Sequence, residues 1–149
     1  MSKASELAAF IASRAALVTQ ANGYATGIGA RVFRGRMSLN KEDLPCIVLI
    51  EGDETVIDQK NSKVNVDTTF VLEGHDFCDP EHPNDKGHLI VTDLKRAIFG
   101  DDLTFGGRLK SKDEVKYQGK AIGQRPEGGD IIAASISFSI AQVEDLANP

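Results

Sequence analysis

Residues 63–74, KVNVDTTFVLEG, put Val64, Val66, Thr68, Phe70 and Leu72 on one side of an extended chain. Asn65, Asp67, Thr69 and Glu73 lie on the other, with Val71 the one apolar exception. A period of two marks a strand with one face on a core and one toward water. Upstream, DLPCIVLIEGDE (43–54) is the most apolar stretch. Its centre, Cys46–Ile50, is apolar on both faces, as a central strand requires, and Pro45 sits at its start, where a missing N–H does little harm. Before it, ARVFRGR (30–36) reads as a strand, with Val32 or Phe33 toward the core and Arg31, Arg34 and Arg36 in water.

Downstream, HLIVTDLKRAIFG (88–100) changes period: Ile90, Leu94, Ala97 and Ile98 keep helical spacing, and Gly100 is a stop. EVKYQGKAIGQ (114–124) reads as a strand broken by Gly119. DIIAASISFSIAQVE (130–144) is a long strand with Ile132, Ala134, Ile136, Phe138 and Ile140 on one face. Its other face, Ala133, Ser135, Ser137 and Ser139, is expected to be solvated or edge-facing, and its small side chains would admit a close neighbour. At the N-terminus, Leu7, Phe10, Ile11, Ala15 and Val18 recur at helical steps, with Ser2 or Ser5 as cap and Asn22-Gly23 as terminator. The expected class is α+β: a mainly antiparallel mixed sheet of about five strands packed with two helices, in the order α-β-β-β-α-β-β.

A chain of 149 residues suffices for one domain, 1–149, able to bury roughly 70% of its unfolded surface. No apolar run reaches the length of a membrane span, and Glu6 and Arg14 interrupt the N-terminal apolar stretch, so neither a span nor a signal peptide is expected. Cys46 and Cys78 form no paired motif, which suits a cytosolic protein without disulfides. The net charge of −5 argues against nucleic acid as the main ligand.

That charge is unevenly distributed. Residues 1–41 hold six bases and one acid, 42–107 five bases and fifteen acids, and 108–125 six bases and two acids. Solvated faces of separate elements would explain this. So would self-complementarity, in which the acidic part of one copy meets a basic part of the next.

The candidate chemistry is EGHDFCDPEHPNDKGH (73–88), which holds all three histidines. His75-x-x-Cys78 and His82-x5-His88 approach zinc-ligand spacing without the paired ligands of a structural site. Asp76, Asp79, Glu81 and Asp85 could add ligands, but acids also favour a helix N-terminus, and Asn84 or Asp85 could cap the helix with His88 in its first turn. The segment is expected to be a capped crossing from sheet to helix. Cys78 beside His75 lacks a third group for nucleophilic catalysis. Gly27-x-Gly29 lacks the strand and third glycine of a dinucleotide site, and Gly106-Gly107 lacks the Lys-Ser/Thr of a phosphate loop. No motif asks for a cofactor.

In LPCIVLIEGDE (44–54), VNVDTTFVLEGH (64–75), LIVTDLKRAIFGDDLTFGG (89–107), VKYQGKAIGQRPEGGD (115–130) and IAASISFSIAQVEDLANP (132–149), the chain resembles the tail terminator proteins of long-tailed bacteriophages. That family includes the minor tail protein U of lambdoid phages. The resemblance lies in the ordered set and covers most of residues 44–149. It implies a non-enzymatic virion protein, assembled in the host cytoplasm, that closes into a six-membered ring on the finished tail tube at the head–tail junction. Its partners would be further copies, the major tail tube protein and the head-side connector, with DNA passing through the lumen without sequence readout. The histidine-bearing insertion departs from the family's shorter turn.

Contacts would come from the polar stretches 51–62, 73–85 and 101–113, which read equally as solvent-exposed turns. The candidate contact residues are Asp76, Asp101, Asp102, Phe105, Arg108 and Lys110. Phe105, an aromatic in a loop, is either tucked into its own core or offered to a partner. A head-completion or neck adaptor is the alternative role, and a metal-binding module on His75, Cys78, His82 and His88 the third.

Overall fold

A computed structural model describes residues 2–35, 38–123 and 128–149. The elements are α1 (Lys3–Ala15), β1 (Val32–Arg34), β2 (Cys46–Lys60), β3 (Lys63–Phe77), α2 (Pro83–Phe99), β4 (Val115–Ile122) and β5 (Ile131–Asp145), joined in places by short 3-10 turns. The five strands form one sheet in the order β1-β2-β3-β5-β4. Only β1 and β2 run parallel, so the sheet is mixed and mainly antiparallel. The class is α+β, in the expected order.

One hydrophobic cluster joins both helices to the sheet. Ser2 caps α1 by accepting the Ser5 amide at 3.2 Å, and the helix buries Leu7, Ala8, Ile11 and Ala15. Helix α2 buries Ile90, Val91, Leu94, Ala97 and Ile98 and ends at Gly100. Against these faces lie Phe70 and Leu72 of β3 and Ile132, Ala134, Ile136, Phe138 and Ile140 of β5, all buried. Burial of a Leu, Ile or Phe side chain contributes about 1.5–3 kcal/mol. Two close approaches need glycine. A Cβ on Gly74 would sit 2.5 Å from Ile90 Cγ2, and one on Gly29 would sit 2.6 Å from the carbonyl oxygens of both Ala15 and Val18.

Several elements differ from expectation. Strand β2 does not end near residue 54; it continues to Lys60. Residues 51–60 therefore form the outer strand of an arm rather than a loop, a hairpin with β3 closed at Asn61, whose φ is +57°. Beside it, β5 pairs with β3 as far as Lys63 and Asp145. All of 51–60 is exposed, so one-sided burial leaves no alternation there to read. Strand β3 runs to Phe77, which makes His75 and Asp76 strand residues. Helix α2 starts at Pro83 with His82 at the N-cap, so Asn84 and Asp85 lie inside the first turn and His88 falls in the second. Proline suits the first helical position because its absent N–H has no partner there.

The serine face of β5 is not at an edge, since β5 is bonded by β3 on one side and β4 on the other. Ala133, Ser135 and Ser137 are partly exposed, as expected of a solvated face, and Ser139, at 2% exposed, is buried. Gly119 leaves β4 unbroken but marks a register shift between Tyr117 and Gly119, with φ +127°. Val32 packs on the core, and Arg31 and Arg34 are exposed. Arg36 lies outside the described residues.

Candidate functional site

The connection from α2 to β4, residues 101–113, contains five of the six residues expected to make contacts. Its shape comes from one carboxylate. Asp102 accepts the Thr104 amide at 2.9 Å, the Thr104 hydroxyl at 2.6 Å and the Gly106 amide at 3.0 Å. The hydroxyl bond first, then the two amides and the Arg14 charge, hold the Asp102 carboxyl down at about 2. Three successive residues, Phe105, Gly106 and Gly107, take positive φ of 53°, 69° and 82°. Such a conformation is strained for phenylalanine and persists only where its surroundings impose it.

The surroundings are those of a core. Phe105 is 0% exposed, so it is tucked into its own domain and presents nothing to a partner, which corrects its place among the contacts. Its ring lies 5.3 Å from that of Phe10, and the Arg14 guanidinium sits 4.8 Å from its centroid and 5.1 Å from that of Phe10. Arg14, itself buried, donates to the carbonyls of Ile98 and Asp102 and so ties α1 to the end of α2 and to the loop. Sequence reasoning missed this residue. Its signal was available: position 14 lies seven residues after Leu7, on the apolar stripe of the helix, where a charge has to find partners.

Asp76 is the second correction. It is buried at the opposite end of the sheet, where it accepts the Phe77 amide at 2.7 Å and pairs with Lys86 at 3.3 Å. The pair with Lys86 fastens β3 to α2. Asp101, Asp102, Arg108 and Lys110 remain exposed. Arg108 stacks over Phe10 at 4.8 Å, and with Lys110 it lines a groove of about 500 Å³. Lys3 and Glu6 of α1 and Ile57 of the arm line the same groove. The loop, the start of α1 and the arm thus meet at one place, which no local pattern in the sequence shows.

The histidine segment does not converge. His82 and His88 are exposed, and Cys78 packs against the core. His75 bonds Glu73 two residues away at 2.5 Å, which holds the Glu73 carboxyl below its ordinary range. Among the described residues, no group of three or more His, Cys, Asp and Glu side chains is placed to hold a metal ion. No protein-family model matches the chain, and no curated protein matches it. Among the described residues, no helix is long and apolar enough to cross a membrane.

Proposed function

We propose that this protein is the subunit of a ring, of six copies, that caps a phage tail tube, ends its polymerisation and offers the head-side connector a docking surface. The observation that carries this reading is the arm. Residues 51–60 continue past the end of β1 as one margin of the sheet and hold Val56 and Ile57 each 59% exposed. Apolar side chains exposed on an outer strand are what a subunit offers to a neighbour. The ordered resemblance to tail terminators supplies the identity of the assembly, and the exposed residues of the 101–110 loop supply a second contact surface beside the arm. Net negative charge suits a lumen along which DNA slides without adhering. The site of action is the head–tail junction of the virion.

Electron microscopy of purified protein mixed with tail tubes tests this. The expected image is a ring of about 96 kDa, six times 16.0 kDa, at one end of each tube, with tubes no longer elongating. Binding to the connector but not to tubes would transfer the role to a neck adaptor. Tubes that keep growing and carry no added density would refute both.

A further inference from the structure

The two margins of the sheet are chemically opposite. Beyond Leu49, whose partner on β1 is Arg34, the outer side of β2 has no strand among the described residues, and β4 pairs with β5 alone. Residues 51–60 carry Glu51, Asp53, Glu54 and Asp58 against a single Lys60. Residues 115–122 carry Lys116 and Lys120, both exposed, and no acid. From β2 through β3 and β5 to β4 each step is antiparallel, so β2 and β4 run in opposite directions. A second copy in the same orientation therefore presents its β4 antiparallel to this copy's β2.

We propose that residues 51–60 of one copy pair with the free edge of β4 of the next, extending the sheet from subunit to subunit. Main-chain bonds would supply the affinity and opposite charge the partner and direction, as in strand addition generally. The two patches differ, so the contact is head-to-tail and repeats around an axis. Its stagger suits closure. In the register that sets Thr55 opposite Tyr117, near the middle of each segment, successive copies are displaced by about 10 Å along the strands, because Thr55 lies level with Ala141 through Asp67 whereas Tyr117 lies level with Phe138. Closing a sheet into a ring requires such a shear. Charges and register shifts also serve to guard an edge against pairing. Guarding, however, works with either sign, whereas here the two edges are complementary and Val56 and Ile57 stay exposed between the acids. The pairing deepens the ring reading and rests on it only for the number of copies.

Two charge-reversed variants test it. Asp53→Lys with Glu54→Lys makes both edges basic; Lys116→Glu with Lys120→Glu makes both acidic. Light scattering of the wild-type chain should show self-association, weakened about tenfold or more in each variant alone. An equimolar mixture should restore it, because alternating copies then match at every contact. Circular dichroism checks that each variant is folded, and hydrogen exchange of the wild-type assembly should protect the amides of 51–60 and 115–122 together. Wild-type protein that stays at 16.0 kDa at the highest soluble concentration overturns the pairing. So does a mixture that fails to recover while the wild type assembles. In that second outcome the ring reading survives with a different interface.

Discussion

Strand β2 lives in two environments. Cys46–Leu49 are buried, and Ile47–Leu49 are paired with β1 on one side and β3 on the other, while Glu51–Lys60 are exposed along their whole length and have β3 alone as a ladder partner. The backbone is the same extended chain in both halves. What differs is what each half contributes. The buried half anchors the fold through its side chains; the arm is held by its ladder to β3, and β3 in turn by β5, whose pairing continues to Lys63 and Asp145. A substitution in the covered region should therefore act on stability, and one in the arm on association.

The largest expected effect is in the covered region. Phe105→Ala removes a fully buried ring and should lower the unfolding free energy by about 3–5 kcal/mol, read from urea transitions. Arg14→Met keeps the stem but leaves the carbonyls of Ile98 and Asp102 without their donor, with an expected loss of about 1–3 kcal/mol. If this variant were as stable as wild type, the buried guanidinium would not be what joins α1 to the loop. Gly74→Ala should cost about 1–3 kcal/mol, because the new methyl meets Ile90 and α2 must shift to admit it.

Acid acts on a smaller scale. The Glu73 carboxyl is lowered in the folded protein by its bond to His75, so its contribution is present above the ordinary glutamate pKa and is lost as pH falls through the folded value. Asp102 behaves the same way, with its contribution disappearing between about pH 4 and pH 2. Replacing Glu73 by Gln should reduce the stability difference between pH 7 and pH 3 by less than about 1 kcal/mol, since the pair is partly solvated. The smallest effect belongs to the arm. Val56→Ser with Ile57→Ser should change unfolding by no more than about 0.5 kcal/mol while weakening self-association. A large loss of stability there would erase the contrast between the two halves of β2.

Much of the covered region was legible in advance. Alternation in 63–74 and 130–144, helical spacing in 88–100, and the stop at Gly100 all reappear as elements with the expected faces inward. The site was less legible. Asp101, Asp102, Arg108 and Lys110 were placed in an exposed loop, where they are, but Phe105 and Asp76 turn inward. Arg14, which organises that loop, was visible only as an interruption in an apolar stretch.

The sequence by itself determined the class, the order of elements and the inward faces of β3, β5 and both helices. One-sided burial imprints a period on side chains, and that imprint is local. Tertiary structure alone decided how far β2 extends, which end of the sheet holds Asp76, and that Phe105 meets Phe10 and Arg14. An exposed ladder is held by backbone groups that every non-proline residue carries, so it leaves no mark in residue type. A loop aromatic finds its place through partners some ninety residues away, which only the folded chain brings together.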